Sequence, residues 1–102
     1  MKDELRVEYL LRLTVNGRKL NRVVIDLHFQ RRHPDMSIEL IMELVKKLAL
    51  EDTLKQSEND TFEYYMHEPI FHDHKPYRIV FCLHKSESFL GVINAFRTRR
   101  NS

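Results

Sequence analysis

The sequence predicts an α+β fold in which one main helix covers one face of a mainly antiparallel sheet. Three observations predict it: an Asn-Gly hairpin signal near the N-terminus, one central segment with helical periodicity, and three later runs rich in aromatic and β-branched residues. The chain has 102 residues, of which 42% are hydrophobic and 31% charged, so it forms at most a single domain over residues 1–102. This composition also excludes a disordered or low-complexity chain.

The N-terminal residues predict a β-hairpin. Residues 5–15 and 19–27 have the composition of two strands, and Asn16-Gly17 lies between them. Asn-Gly is the strongest short hairpin signal because both positions of a type I′ turn need positive φ angles. The next segment, residues 28–35, is predicted to be a loop because Pro34 disfavours helical backbone just before it.

A helix is predicted over roughly residues 37–50, where apolar residues recur at helical spacing. Asp35 or Ser37 can cap its start. Basic residues near its C-terminal end, Lys46 and Lys47, complement the helix dipole. The polar residues that follow, 51–61, are predicted to form a loop.

The C-terminal part of the chain predicts a three-strand meander over residues 62–71, 77–84 and 89–97. Pro69 predicts a bulge or an edge position in the first of these strands, because proline cannot donate a hydrogen bond to the ladder. The predicted element order is therefore β-β-α-β-β-β.

Strand alternation predicts that polar side chains of the meander gather on the sheet face away from the helix. This prediction assumes that His84 pairs with Phe89 and that His72 pairs with Tyr77, since a shift of one residue reverses the face. The side chains sharing this face would be Tyr65, His67, Arg78, His84 and Arg97, with Asn94 on the opposite face. Arginines suit a phosphodiester because they bind phosphate oxygens bidentately. Ordinary solvated polar residues are the alternative interpretation.

The charge is nearly balanced, with 17 Lys and Arg against 15 Asp and Glu. Two basic clusters stand out, one formed by Arg31-Arg32-His33 and the other by Arg97, Arg99 and Arg100. Such clusters can hold phosphates, although a solvated surface is the more common reason for them. No apolar run approaches the roughly 18 residues that span a bilayer, and no signal peptide is recognisable, so we expect a cytoplasmic protein without a membrane partner.

The sequence lacks the residues that several classes of chemistry require. Cys82 is the only cysteine, so an internal disulfide and a thiolate zinc site are excluded. The His72-Asp73-His74 spacing could hold a metal but has no third ligand near it in sequence, so we predict no native metal site and no cofactor. Walker, Rossmann, HExxH and GxSxG motifs do not occur, which removes nucleotide hydrolysis, hydride transfer and zinc proteolysis of those types.

His28 and His33 are candidate acid–base residues, with Arg31 and Arg32 between them. Cleavage of RNA by its own 2′-hydroxyl needs a base, an acid and a cation that stabilises the phosphorane charge. Histidine is the side chain best suited to both proton transfers near neutral pH. Two surface histidines in a polar turn are the alternative.

The segment VVIDLHFQRRH, residues 23–33, resembles a pattern of small nuclease toxins in which a strand runs into His-aromatic-x-x-basic-His and then a helix. YRIVF at 77–81 and GVINAFR at 91–97 resemble the end of the same domains. These toxins belong to the broad barnase–EndoU–colicin–RelE group, and the resemblance, to RelE-like or phage-associated members of that group, covers roughly residues 12–98.

The resemblance implies a RelE/barnase-like fold that presents a concave RNA-binding sheet face. It implies a bacterial endoribonuclease toxin that needs no metal, leaves a 2′,3′-cyclic phosphate and is neutralised by a cognate antitoxin or immunity protein. The implied catalytic residues are His28, His33, Arg78 and Arg97, and the implied substrate-binding residues are Tyr65, Asn94, Arg31 and Arg32. The alternative on the same fold is a non-catalytic module that binds RNA or inhibits a protein target, as ParE-like toxins do.

Overall fold

Residues 6–98 form a six-stranded sheet with one α-helix on one face. The computed structural model describes residues 6–98, without the side chain of Phe29. The strands are β1 (Arg6–Val15), β2 (Arg18–Asp26), β3 (Lys55–Glu58), β4 (Phe62–His72), β5 (Lys75–His84) and β6 (Phe89–Arg97). Between β2 and β3 lie a 3-10 turn (Leu27–Arg31), the helix α1 (Ile38–Lys47) and a second 3-10 turn (Leu48–Leu50).

The strand order across the sheet is β1-β2-β6-β5-β4-β3, and every neighbouring pair is antiparallel except the parallel pair β2–β6. The predicted α+β class, with one helix and a mostly antiparallel sheet, is confirmed. The predicted order was wrong in one respect, because the polar segment 51–61 contains the edge strand β3. Its four residues are all exposed, so neither alternation nor β-branched residues mark it as a strand.

The N-terminal hairpin turns at Asn16 and Gly17, whose φ angles of 52° and 77° are those the predicted turn requires. The Asn16 side chain also reaches Thr53 beyond the helix. Its Nδ2 donates to the Thr53 carbonyl at 2.7 Å, and its Oδ1 accepts from the Thr53 N–H at 2.8 Å. These two hydrogen bonds connect the hairpin to the segment that leads into β3.

Ser37 caps α1, because its Oγ accepts a hydrogen bond from the Leu40 N–H at 3.1 Å. The α-helix ends at Lys47, and the second 3-10 turn completes the predicted span of 37–50. Within residues 6–98, no helix is long and apolar enough to cross a membrane.

The core fills the space between α1 and one face of the sheet. The helix contributes Ile41, Leu44 and Val45, which are fully buried. Tyr65 of β4 stacks on the buried ring of Phe81 in β5, with ring centroids 5.0 Å apart. We call the opposite side of the sheet the helix-free face; apart from the buried Cys82, most of its central side chains are half-buried, because α1 covers only one face.

Two β-bulges, one in β6 and one in β4, decide which side chains of these strands share a face; β1 and β3 each have a further register irregularity. In β6, Ile93 is an extra residue, since Val92 pairs with Phe81 whereas Asn94 pairs with Val80. In β4, the extra residue falls at Glu68-Pro69, where Pro69 predicts a bulge. Each bulge reverses the inward–outward alternation on one side of it.

The bulges overturn four predicted face assignments. Tyr65 and His67 pair with Phe81 and Ile79, so they lie on the helix side. Arg97 pairs with Tyr77 and also lies on the helix side, while Asn94 joins Arg78 on the helix-free face. The five residues 72–76, predicted to form the turn between the first two strands of the meander, contain a two-residue turn at Asp73 and His74. His72 pairs with Lys75 instead of Tyr77, a shift of two residues that leaves the faces unaltered.

Gly91 gives a stability test of the helix-free face. A Cβ at this position would lie 2.9 Å from the Cys82 Sγ of the neighbouring strand. We expect Gly91→Ala to lower the free energy of unfolding by about 1–3 kcal/mol, as overpacking does. Urea denaturation measures the change. Because Cys82→Ala makes room for the methyl group, the double variant should lose less than the sum of the two single variants; strict additivity would contradict the predicted contact.

Candidate functional site

Asp26 and His28 form a hydrogen-bonded pair where β2 passes into the first 3-10 turn. Asp26 Oδ1 accepts a hydrogen bond from His28 Nδ1 at 2.7 Å and another from the His28 backbone N–H at 2.9 Å. Since a carboxylate only accepts, Nδ1 carries the proton and the neutral ring keeps a lone pair on Nε2. The turn thus presents an imidazole in the tautomer that a general base needs.

The pKa of Asp26 reflects this pairing. Partial burial tends to raise the pKa, but the hydrogen bonds from the backbone and ring of His28, with the charges of His28 and Arg6, hold it below the ordinary value of 3.8. Asp26 is therefore ionised near neutral pH and can stabilise a proton taken up by His28.

His28 lines a cavity of about 230 Å³ together with Arg32, Ile93 and Asn94. The first 3-10 turn supplies the histidine, the residue after that turn is the arginine, and the β6 bulge supplies the other two residues. Asn94 Oδ1 is buried without a hydrogen-bond partner among residues 6–98, so it is an unused acceptor beside the cavity. A base, a guanidinium and an amide therefore meet at one end of the helix-free face.

Phe96 joins this end of the face to His33 and Arg78. The His33 ring stacks on Phe96 with centroids 4.9 Å apart and planes at 23°. The guanidinium carbon of Arg78 lies 5.3 Å from the centroid of the same ring. Because Asn94 and Phe96 alternate along β6, both project to the helix-free face. His33 and Arg78 thus both contact a ring that is two residues along β6 from Asn94, which lines the cavity.

Arg78 is bound by Glu68, which the β4 bulge places opposite it. Arg78 Nε and Nη2 donate to the two carboxylate oxygens at 2.6 and 2.9 Å. These hydrogen bonds raise the pKa of Arg78 and lower the pKa of Glu68. The guanidinium holds this carboxylate with two parallel N–H donors, a fork that can bind two phosphate oxygens in the same way. Since the two side chains are 36% and 33% exposed, a phosphate from solvent can compete with Glu68.

Three predicted site residues lie elsewhere. Tyr65 is buried on the helix side, and its hydroxyl donates to Glu63 at 3.1 Å. Arg97 is exposed on the helix side, so it faces away from Arg78. Arg31 is exposed in the first 3-10 turn, beside Arg32 but outside the cavity lining. Arg99 and Arg100 of the C-terminal basic cluster lie outside the described residues.

Two other histidines have structural partners. His67 Nδ1 lies 2.8 Å from Thr53 Oγ1, and its Nε2 lies 3.3 Å from a carboxylate oxygen of Glu51. His84 Nδ1 accepts hydrogen bonds from the N–H groups of the loop after β5. In the described part of the chain, no three His, Cys, Asp or Glu side chains form a group that could hold a metal ion, His72-Asp73-His74 included.

Sequence reasoning missed three residues of this site: Asp26, Glu68 and Phe96. The Asp-x-His spacing at the end of β2 could have indicated Asp26, since aspartate side chains accept hydrogen bonds from N–H groups two residues on. Glu68 lies opposite Arg78 only because of the β4 bulge, whose strand pairing the sequence does not predict. Phe96 lies on the helix-free face only because of the β6 bulge at Ile93.

Comparison of the chain with protein-family models, with curated proteins and with solved structures finds no match in any of the three. The function must therefore be argued from the geometry of the residues described above.

The Asp26–His28 pair predicts a pH-dependent contribution to stability. Because the folded pKa of Asp26 is below its ordinary value, the stabilisation is fully present above pH 3.8 and is lost as the pH falls through the folded value. We expect Asp26→Asn to cost up to about 1 kcal/mol at neutral pH, since 39% of this side chain is exposed, and almost nothing in strong acid. Urea denaturation across this range measures it. Asp35→Asn, an exposed acid nearby, is the matched control, and a pH-independent loss in Asp26→Asn would contradict the prediction.

Proposed function

We propose that this chain is a RelE-like, metal-independent endoribonuclease that acts in the bacterial cytoplasm under the control of a cognate antitoxin or immunity protein. The observation that carries the proposal is the Asp26–His28 pair beside a cavity lined by Arg32 and Asn94. An oriented imidazole next to a guanidinium provides the base and the cation that 2′-hydroxyl attack requires. The open sheet face supports a RelE/barnase-like arrangement, in which RNA lies across the strands.

Cleavage divides the two proton transfers between His28 and His33. His28 Nε2 takes the proton of the 2′-hydroxyl as O2′ attacks the adjacent phosphorus. The P–O5′ bond breaks, and protonated His33 gives its proton to the leaving O5′. The products are a 2′,3′-cyclic phosphate and a free 5′-hydroxyl, and water then exchanges the protons of the two rings. Asp26 stabilises the imidazolium that forms on His28.

Arg32 and Arg78 bind the non-bridging phosphate oxygens, whose charge increases as the phosphorane forms. Glu68 holds the Arg78 fork in position before RNA binds, and the phosphate then replaces the carboxylate. Phe96 holds His33 by ring stacking and Arg78 by a cation–π contact. Tyr65 and Arg97 take no part, because they lie on the helix side of the sheet.

The first test is cleavage of single-stranded RNA in excess EDTA. We expect His28→Ala to lower the cleavage rate at least about 100-fold, since a general base contributes roughly this much or more. His74→Asn is the matched control, because His74 is exposed in the β4–β5 turn and asparagine accepts its positive φ angle. End-labelled RNA gives the rate, and mass spectrometry identifies the cyclic phosphate. Unchanged cleavage by His28→Ala would overturn the proposal.

The second test compares Arg78 with Arg97, two arginines that the sequence predicts on one face of the sheet. We expect Arg78→Lys to lower kcat/KM at least about tenfold, because lysine keeps the charge but loses the bidentate fork. Arg97→Lys should change it less than about twofold, since a surface charge on the opposite face is outside the site. Thermal melting of both variants controls for folding. Equal losses in the two variants would contradict the site described here.

A further inference from the structure

Four rings lie together on the helix-free face at the end away from the cavity: Phe62, Tyr64, His84 and Phe89. We call them the ring cluster. Phe62 is the common neighbour, with centroids 5.1 Å from His84 and 6.2 Å from Phe89 and from Tyr64. The interplanar angles are 81°, 73° and 44°, so none of these pairs is stacked face to face. All four side chains are half-buried and hence partly open to solvent.

The His84 ring is held in one orientation by the loop that follows β5. Its Nδ1 accepts hydrogen bonds from the N–H groups of Ser86 and Glu87 at 3.1 and 3.0 Å. The proton of the neutral ring is therefore on Nε2, which remains a hydrogen-bond donor. The ring cluster thus offers apolar surfaces together with a fixed polar group, as a base-binding surface requires.

Charges around the ring cluster are balanced rather than basic. Arg22 lies over Phe89 at 5.1 Å, and it is paired with Glu8 at 2.8 Å and with Glu87 at 3.0 Å. Lys85 is paired with Glu58 at 3.3 Å. A surface with balanced charges adds little to the affinity for phosphates, whereas uncharged bases can stack on its rings.

The opposite end of the helix-free face carries more positive charge. Arg32 is exposed there and lines the cavity, Arg31 is exposed in the adjoining 3-10 turn, and Arg78 lies on the same face. Phe89 and Phe96 lie at the two ends of the same strand, roughly 20 Å apart along β6. A single nucleic acid strand can therefore place a phosphate at the basic end and its neighbouring bases on the ring cluster.

We propose that the ring cluster binds the unstacked bases of single-stranded RNA next to the cleaved phosphate. The choice of RNA rests on the proposed ribonuclease function, and the inference adds the form of the substrate. Duplex RNA is excluded because its bases are stacked on each other and unavailable to protein rings. A protein partner is the other known occupant of aromatic surfaces, but the continuity of the ring cluster with the phosphate-binding end favours RNA.

The test measures the binding of a short 2′-O-methyl RNA, which lacks the attacking hydroxyl and so reports binding apart from cleavage. We expect Phe62→Leu and Phe89→Leu each to weaken binding about fivefold or more, as the loss of one stacked base does. Tyr9→Leu is the matched control, because Tyr9 is an exposed ring on the helix side. Fluorescence anisotropy gives the Kd values. The fold-changes should be the same at low and high salt, since phenylalanine carries no charge.

Two results would overturn the ring cluster as an RNA site. One is unchanged affinity in both phenylalanine variants, with folding verified by thermal melting. The other is absence of binding to the single strand together with self-association that the phenylalanine variants abolish, which would assign the rings to a protein interface. If the variants weaken RNA binding while His28→Ala cleaves normally, the base-binding site stands and the proposed catalytic role fails.

Discussion

The β-bulges in β4 and β6 are the constraint on which the helix-free face depends. Side chains on a strand alternate between faces, so one extra residue transfers every later side chain to the other side. The bulge at Ile93 brings Asn94 and Phe96 to the face of Arg78, and the bulge at Glu68 supplies the carboxylate that holds the arginine fork. Without the first bulge, Asn94 and Phe96 would face the helix, and without the second Arg78 would lack the carboxylate that holds it.

The second constraint is that one helix covers one side of a six-stranded sheet. The core on that side is fully buried and carries the stability of the fold. The other side retains half-buried rings and paired charges, a composition that costs stability in water unless a ligand covers the rings. The same division therefore separates the residues that fold the chain from those proposed to act on RNA.

The sequence predicts the local elements well because their signals are local. Asn16-Gly17, the cap at Ser37 and the aromatic strands of the meander each follow from neighbouring residues, and the structure has them near the predicted positions. The strand β3 escapes prediction because its four polar residues form a strand only by pairing with β4. The face assignments of Tyr65 and Arg97 fail because a bulge depends on how two strands pair, which alternation within one strand does not contain.

The sequence predicts only part of the candidate site, because local signals place some of its residues together and strand pairing places the others. His28, Arg32 and His33 lie in one short turn, so sequence places them together. Asn94 and Arg78 join them only through strand pairing, and Asp26 requires the Asx contact at the end of β2.

The parallel pairing of β2 with β6 divides the sheet into two units of local hairpins, β1–β2 and β3 to β6, with a single seam between them. His28 and Arg32 follow the last strand of the first unit, whereas Asn94 and Phe96 lie on the closing strand of the second. The proposed catalytic groups thus assemble only when the seam closes, which is the pairing most distant along the chain and so the slowest to form. A chain with both units folded but undocked would have its hairpins intact and its catalytic groups apart.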